Sequence, residues 1–338
     1  MLKSNFDQWF PSYKRVNGHL FNSGNRSEPV CRILCIHGAG GSDQIFLKKD
    51  INSGADPPNI LLDYIRENGI ELLALQLPGR AERSREPCYK DIHTLINDLY
   101  PTFKKHFFGE TSLMESIESV PWILVGHSMG GLIGFELLKR LKLEFMEYFV
   151  KNGEVDQESL KSKMLQQLRS KRIFPELFMM MSTFPPNVPI DQRPWRKNEW
   201  LNDEEFKQEC REWGINEKVF RNGIWEEFER QLRCDFSMFD TFEIDSVDKK
   251  LFGTKQLPYN CMYPLGVKTQ LWCASQDRKV TMNAIVRWEE LLTTKREPLD
   301  LQEIDAPHNF LHDPTTRREW MQRLTKSLDI IILDLEYL

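Results

Sequence analysis

The sequence predicts an α/β fold, in which helices flank a mostly parallel central sheet and a helical lid is inserted late in the chain. Three observations lead to this prediction. Short apolar runs without polar alternation recur along the chain, as expected of parallel strands covered on both faces. Helix-like stretches alternate with these runs. Between Lys197 and Asp245, by contrast, tryptophans, phenylalanines and charged residues mix in a helical pattern that carries no strand signal.

Six apolar runs are predicted as strands, and turn-forming glycines or prolines follow the first four. The six runs are residues 32–37, 70–77, 122–125, 177–183, 267–274 and 299–304. Five further stretches have the length and apolar spacing of helices. They are residues 60–68, 89–105, 131–150 and 281–292, and a segment that starts at Thr315.

On this pattern the chain divides into an N-terminal arm, a discontinuous core and a lid. Residues 1–30 are polar and mixed, and we expect an arm or edge element of low order. Residues 31–184 and 260–338 form the core. A charged stretch within the core, residues 152–172, is expected to be a surface insertion. Residues 185–259 form the helical lid.

Composition excludes several classes of protein. The 338 residues include 45 Lys and Arg against 50 Asp and Glu, a formal charge of −5, which disfavours nucleic-acid binding. No apolar run approaches the roughly 18 residues that indicate a membrane span. The first ten residues lack the apolar segment of a secretory signal. The seven cysteines form no Cys-x-x-Cys motif or zinc-like cluster, so we expect reduced thiols, no bound metal and a cytoplasmic protein.

A G-x-S-x-G pentapeptide, residues 126–130, lies directly between an apolar run and a predicted helix. In this context small residues permit a tight strand-to-helix turn, and the serine hydroxyl then projects above the carboxyl edge of the sheet. The helix that begins there adds free N–H groups and a favourable dipole. We therefore predict Ser128 as a nucleophile. The alternative is a glycine-rich turn that only packs.

A nucleophilic serine needs a base, and the base needs a carboxylate that orients it. Only two histidines lie downstream of Ser128. His308 is the preferred base because it follows the sixth predicted strand in a loop, whereas His312 fits a cap or a surface position. His37 and His127 precede or adjoin the serine, and we expect them to be structural, although His37 lies at the turn after the first strand.

Asp277 is the preferred orienting carboxylate. It follows the fifth predicted strand, and serine, acid and histidine occur in that chain order in G-x-S-x-G hydrolases. Asp305 is the main competitor, but a residue so near His308 in sequence would struggle to reach the far ring nitrogen. Asp235 and Asp240 lie in the helical insert and fit less well. The alternative role for Asp277 is to cap the following helix.

The glycine-rich turn at residues 38–41 can supply a backbone donor to a developing oxyanion. Ala39 is the predicted donor from this turn, and Met129, directly after the serine, is the second. The turn lacks the G-x-G-x-x-G spacing of a dinucleotide-binding site, and no acidic residue closes a convincing second strand nearby. A nucleotide cofactor is therefore disfavoured.

The sequence resembles the type II thioesterases, the free-standing editing or chain-release enzymes of fatty-acid, polyketide and nonribosomal-peptide synthases. The resemblance runs from about Ile33 to Phe310. The most specific match is L-P-G-R-A-E-R, and two departures are I-H where the family has F-P, and A-P where it has G-G before the histidine. The matching segments are residues 39–42, 77–83, 126–130, 232–236 and 308–311.

This resemblance implies an α/β-hydrolase fold and hydrolysis of acyl thioesters from the phosphopantetheine arm of an acyl or peptidyl carrier protein. Ser128 would attack the thioester, His308 would take its proton, and Asp277 would hold the imidazole. The reaction needs no metal or dissociable cofactor.

The acyl group needs an apolar site. Aromatic and methionine side chains of the fourth strand and the insert are candidates to line it, and methionine-rich surfaces adapt to varied chains. The alternative is ordinary core beneath the lid. The candidates are Phe178, Met179, Trp225, Phe236 and Phe239.

Two other functions remain open. A generic carboxylesterase or a protein depalmitoylase uses the same serine, histidine and aspartate, so those residues do not distinguish esters from thioesters. A non-catalytic protein of the same fold, which binds a ligand or scaffolds a synthase, fits poorly because each expected catalytic position holds a competent residue. Failure of Ser128 to react with a fluorophosphonate would favour that reading.

Overall fold

A computed structural model describes residues 5–336, with gaps at 23–24, 27, 49–58, 111–112, 114–118, 152–156, 222, 245–261 and 295–297. Six of the eight described strands form one all-parallel sheet in the order β4-β3-β5-β6-β7-β8, and β1 and β2 form a short antiparallel hairpin. The strands are β1 Phe21–Asn22, β2 Asn25–Arg26, β3 Arg32–Ile36, β4 Glu71–Ala74, β5 Trp122–His127, β6 Leu177–Met181, β7 Thr269–Ala274 and β8 Asp300–Ile304.

All six predicted strands are confirmed, and most are a few residues shorter than the apolar runs that predicted them. The helices are α1 Asn5–Trp9, α2 Tyr13–Val16, α3 Gln44–Leu47, α4 Ile60–Glu67, α5 Ile92–Phe108, α6 Met129–Lys151, α7 Gln157–Ser170, α8 Asp203–Glu212, α9 Trp225–Asp240, α10 Met282–Ile285, α11 Glu289–Leu292 and α12 Pro314–Glu336. The single helix predicted at residues 281–292 is interrupted by a 3₁₀ turn, Val286–Trp288.

Helices cover both faces of the sheet, as the uninterrupted apolar runs predicted. Successive strand residues point to opposite faces, so Leu124 packs with α5 and α6 while its neighbour Val125 packs with α4 and α12. The two faces thus form two separate apolar cores with the sheet between them. None of the described helices has the length and apolar character needed to cross a membrane.

The N-terminal segment is more ordered than the sequence suggested. Residues 5–22 pack against the sheet instead of forming an arm of low order, and Trp9, Phe10 and Tyr13 are buried in the core. The Tyr13 hydroxyl donates to the buried carboxylate of Glu71 on β4. The segment is therefore held by aromatic burial and by a buried polar contact, both of which depend on residues far away in the chain.

The charged stretch at residues 152–172 is not simply a surface excursion. Its described part forms α7, and Met164 and Leu168 of that helix are fully buried against the same core as α6. These two residues are four apart, so they lie on one face of the helix, whereas Lys163 and Arg169 are exposed. Residues 152–156 lie outside the described part of the chain.

The described part of the predicted lid is helical only from residue 203 onward, and residues 185–202 form loops with two short 3₁₀ turns. It contains α8 and α9, joined by a 3₁₀ turn at Glu217–Phe220. An asparagine capping box at Asn202 starts α8, because its side chain accepts from the Glu205 amide while the Glu205 carboxylate accepts from the Asn202 amide. The part of the predicted lid after residue 244 lies outside the described residues.

Candidate active site

Ser128 occupies a strained turn between β5 and α6. Its φ is +52°, a left-handed conformation that non-glycine residues rarely adopt. The flanking glycines make this turn possible. A Cβ at position 130 would lie 2.2 Å from the Ile36 carbonyl oxygen, and one at position 126 would lie 2.6 Å from the Gly131 Cα. Close backbone contact on both sides therefore requires glycine at both positions.

Ser128, His308 and Asp277 lie in one continuous hydrogen-bonded array. Nε2 of His308 is 2.9 Å from Ser128 Oγ, and Nδ1 of His308 is 2.5 Å from Asp277 Oδ2. Asp277 and His308 are both more than nine-tenths buried. The structure thus brings together three predicted residues that are separated by up to 180 positions in sequence. With the Nδ1 proton directed to the carboxylate, Nε2 is free to accept a proton from the serine.

The carboxylate of Asp277 is held ionised. Burial by itself raises the pKa of this group, but the charge and hydrogen bond of His308 and the amides of Val280 and Lys279 outweigh it, so that the pKa is lowered. Those amides donate to Oδ1 over 3.0 and 2.9 Å. One oxygen therefore caps the following turn while the other faces the histidine, which combines both roles proposed for Asp277.

The alternative acid and the alternative base, Asp305 and His312, lie outside this hydrogen-bonded array. Asp305 is exposed and accepts hydrogen bonds from Ser275 Oγ and Gln276 Nε2, at 2.9 and 3.0 Å. His312 ends the 3₁₀ turn Phe310–His312 beyond the histidine loop, where its side chain is exposed. The separation of Asp305 from the array agrees with the short-loop argument made from the sequence.

The predicted oxyanion donors lie on the two loops that meet at Ser128. Met129 is the first residue of α6, where backbone amides have no acceptor within the helix. Ala39 lies in the turn after β3, next to Gly40. Gly38, on the same turn, is so close to the serine that a Cβ there would lie 3.1 Å from Ser128 Cβ. The turn after β3 therefore borders the position where an oxyanion would form.

A narrow apolar cavity lies beside Ser128, between the sheet and the lid. Its open space is about 20 Å³, near the size of one water molecule. Of the five predicted acyl-site residues, only Phe239 lines it. The lining residues are Ser128, Met129, Leu132, Ser182, Phe184, Pro185, Pro186, Arg193, Trp195, Trp213, Phe239, Phe242 and Val280.

The other four predicted acyl-site residues lie away from this cavity. Phe178 and Met179 are on β6 and point into the two opposite apolar cores. Trp225 and Phe236 are buried within the lid, where both rings contact Phe206. A strand residue whose two flanking layers are both helical has no route to a surface cavity, so the apolar run of β6 reflects packing.

Trp213, which the sequence analysis did not single out, belongs to the site. Its ring packs edge-on against His308 with 4.8 Å between ring centroids, and its carbonyl oxygen accepts from Asn309 Nδ2 at 2.7 Å. It follows α8 at the end of the helix. Nothing local in the sequence distinguishes it from the other tryptophans of the lid. The lid therefore supports the histidine loop directly.

An open polar cleft is bordered by His308 and Asp277. Its volume is about 500 Å³, and Trp213 lines both this cleft and the apolar cavity. Within the cleft, Lys279 Nζ pairs with Glu209 and Glu212 of α8 at 2.8 Å each. The lining residues are Gln208, Arg211, Glu212, Trp213, Gly214, Gln276, Asp277, Arg278, Lys279, Pro307 and His308.

Two further buried histidines support the loops of the site. Nε2 of His127 donates to the carbonyl oxygen of His308 at 3.0 Å, and Nδ1 of His37 donates to that of Gly38 at 2.8 Å. Burial lowers the pKa of each imidazole to about 3, and neighbouring positive charge contributes to the shift. Both histidines are therefore neutral structural groups, as expected from the sequence.

These depressed pKa values predict acid instability. His37 and His127 titrate near pH 6.5 when unfolded but near pH 3 when folded. Their contribution is complete above pH 6.5 and is lost as the pH falls, because the unfolded chain then binds more protons. We expect the free energy of unfolding to fall by about 1 kcal/mol per histidine between pH 7 and 5.5.

Urea unfolding at both pH values measures this fall in the free energy of unfolding. His127→Asn should remove about half of the drop, and an undiminished drop in that variant would contradict this assignment.

No group of three or more His, Cys, Asp or Glu side chains in the described part of the chain is arranged to hold a metal ion.

The fold and the site define the class of protein. A six-stranded parallel sheet, a serine on a strained turn after a central strand, and a histidine and aspartate after later strands are the features of one large family. The sequence matches the Alpha/beta hydrolase family over residues 33–320. The chain belongs to this family.

Within this family, the chain is similar to several individual proteins. The chain is 23% identical to the gramicidin S biosynthesis protein GrsT of Aneurinibacillus migulanus, over 94% of this chain and 96% of that protein. It is 28% identical to the human medium-chain S-acyl fatty acid synthase thioesterase, over 37% of this chain and 39% of that protein. Among solved structures it resembles ClbQ from the colibactin NRPS/PKS pathway, with a TM-score of 0.58, 19% identity and coverage of 89% and 99%.

Proposed function

We propose that this protein is a serine thioesterase that hydrolyses acyl thioesters from the phosphopantetheine arm of a carrier protein. The observation that carries the proposal is the Ser128–His308–Asp277 array, with an apolar cavity beside Ser128 and a polar cleft beside His308 and Asp277. An acyl-phosphopantetheine has the same two-sided chemistry, because its apolar acyl group and its polar arm meet at the thioester carbon. The thioesterases and the biosynthesis protein among its relatives support the same activity.

Acylation begins when Ser128 Oγ bonds to the thioester carbonyl carbon and His308 Nε2 takes the hydroxyl proton. The carbonyl electrons move to the oxygen, where the amides of Ala39 and Met129 stabilise the negative charge. Asp277 holds the imidazole in position and stabilises its positive charge. The tetrahedral intermediate then collapses, the carbon–sulfur bond breaks, and the proton on His308 passes to the departing thiolate.

Deacylation repeats these steps with water. His308 takes a proton from the water as its oxygen bonds to the acyl carbon, and the second tetrahedral intermediate uses the same two amides. The bond to Ser128 Oγ then breaks, and His308 returns the proton to it. The products are a free acid and the carrier's free thiol, and the enzyme is regenerated.

The size of the apolar cavity predicts a preference for short acyl groups. Its open space of about 20 Å³ accepts a small group without rearrangement, whereas a longer chain must displace aromatic side chains of the lid. Phe239 is the lid residue to change, because its ring lines the cavity and packs on Trp213 and Trp195.

Phe239→Val should therefore favour longer chains. Two additional buried methylene groups, at about 0.8 kcal/mol each, correspond to roughly a tenfold rise in kcat/KM for an octanoyl relative to an acetyl thioester. Steady-state kinetics over a chain-length series measure this ratio. Phe206→Val is the matched control, since Phe206 is also buried in the lid but does not line the cavity. The same shift in both variants would mean that the cavity does not select the chain.

A comparison of substrates tests the proposed function. We expect acyl-phosphopantetheine on a carrier protein to be cleaved with a much higher kcat/KM than a p-nitrophenyl ester of the same acyl group, because only the former has an arm to occupy the polar cleft. The reverse order would indicate a carboxylesterase. Efficient cleavage of an S-acylated peptide but not of the loaded carrier would indicate a depalmitoylase.

A further inference from the structure

A buried ion pair joins the lid to the body of the protein at the turn after β3. Asp235 of α9 is fully buried, and its carboxylate contacts Arg80, which lies outside the lid. Arg80 Nη1 donates to Oδ2 at 2.8 Å and Nη2 donates to Oδ1 at 2.5 Å, a bidentate ion pair. The backbone amide of Gly40 donates to the same Oδ2 at 2.8 Å. One lid carboxylate therefore binds both the arginine and the turn.

Arg80 completes a closed ring of contacts around this turn. Its Nη1 also donates to the carbonyl oxygen of Gly41 at 3.3 Å, and its Nε donates to that of Pro78 at 3.4 Å. Consequently the N–H of Gly40 and the C=O of Gly41 are both fixed from outside the turn. Leu232, one turn before Asp235 on α9, places its Cδ2 3.0 Å from where a Cβ on Gly40 would lie. Gly40 has a φ of +69°, so glycine is needed here for both space and conformation.

This ring bears on the proposed oxyanion donor. The Gly40 amide belongs to the peptide unit whose carbonyl is that of Ala39, so anchoring this unit restricts the rotation of Ala39. The adjacent peptide unit carries the Ala39 N–H. A backbone donor contributes fully only when it already points at the position of the developing charge, and a misplacement of about 1 Å can cost about a hundredfold in rate.

We propose that Asp235 and Arg80 are positioning residues for the oxyanion hole, and that the lid thereby completes the catalytic geometry. The inference rests on the proposed function, in which Ala39 stabilises the oxyanion. It assigns a chemical role to two residues whose spacing of 155 positions hides their pairing. The lid then does more than cover the acyl group, because the carboxylate of Asp235 fixes the conformation of the turn after β3.

The test compares two buried carboxylates of α9. Asp235→Ala and Asp235→Asn break the ring, and Asp240→Asn is the matched control. Asp240 is equally buried on the same helix and also accepts a backbone N–H, that of Asn198 at 2.7 Å, but its partners Asn198 and Trp195 all lie in the lid. The readouts are kcat and KM for an acyl thioester and for p-nitrophenyl acetate, the affinity for a trifluoromethyl ketone, and the urea midpoint.

We expect Asp235→Ala to lower kcat about a hundredfold while KM changes less than twofold. The affinity of this variant for the trifluoromethyl ketone should fall by a similar factor. Asp235→Asn should lower kcat about tenfold, since the amide oxygen of the asparagine can still accept a hydrogen bond from the Gly40 N–H. Asp240→Asn should lower the urea midpoint but change kcat less than twofold. If Asp235 and Asp240 variants lose stability alike and kcat alike, or if only KM rises, the positioning role is wrong.

The measurements with p-nitrophenyl acetate separate this inference from the proposed function. Both substrates form an oxyanion at the same place, so cleavage of the ester but not of thioesters would reject the thioesterase proposal while still measuring the effect of Asp235. If Asp235→Ala does not fold, the ratio of kcat in Asp235→Asn to that in Asp240→Asn decides the question. An equal kcat in these two variants would overturn the inference.

Discussion

Ser128→Ala is expected to abolish turnover. In the proposed mechanism every substrate passes through a bond to Ser128 Oγ, and loss of a serine nucleophile from such an array costs about 10⁶-fold in kcat. The remaining backbone donors and the binding cavities cannot replace the nucleophile, so only a small residual rate over water should persist. Multiple-turnover hydrolysis of an acyl thioester measures the loss. Substrate or product binding should be retained, because the alanine leaves both cavities intact.

The matched control is Ser275→Ala. Ser275 also follows a strand at the carboxyl edge of the sheet, but its hydroxyl donates to Asp305 and has no contact with the histidine. This variant should keep wild-type kcat. A Ser128→Ala enzyme that retains activity within tenfold of the wild type would show that another group is the nucleophile.

The second large effect is expected from Asp277→Asn. The amide would preserve the shape of the site but would present a donor to His308 Nδ1, which selects the wrong imidazole tautomer and leaves the imidazolium unsupported. The corresponding change in a serine–histidine–aspartate array costs about 10⁴-fold in kcat. We expect kcat to fall by that factor and KM to change little, as measured by steady-state kinetics at pH 7.5.

Asp305→Asn provides the control for that experiment, since Asp305 was the rival acid and lies on an exposed loop. It should remain close to wild type. A larger loss in Asp305→Asn than in Asp277→Asn would reverse the assignment. The Ser128→Ala, Asp277→Asn double variant should be no slower than Ser128→Ala alone, because the residues act as a unit.

The sequence predicted the sheet well because its signals are local. Each strand is an apolar run closed by turn residues, and the turn at Ser128 is specified by Gly126 and Gly130 within five positions. The site array was also accessible from sequence, since the serine, the aspartate and the histidine each follow a strand in a fixed order. Parallel strands bring such residues to one edge without any need to know the side-chain packing.

The remaining features depend on tertiary packing. Phe178 and Met179 do not line the predicted acyl site, because alternate residues of a buried strand enter opposite cores and hydrophobicity does not reveal which residues reach a cavity. Trp213 acquires its role only when the lid folds over the histidine loop. Arg80 and Asp235 occur in recognisable motifs, but their pairing closes a long loop and leaves no local signal.

The most direct test of the proposed mechanism follows the acyl group from carrier to enzyme. Wild type and Ser128→Ala are each mixed with a carrier protein loaded with an acetyl-phosphopantetheine, quenched at short times, and analysed by intact-protein and peptide mass spectrometry. We predict that wild type unloads the carrier and transiently gains one acetyl group on the Ser128 peptide, whereas Ser128→Ala leaves the carrier loaded and gains none. Equal unloading by the two proteins would contradict a mechanism through Ser128.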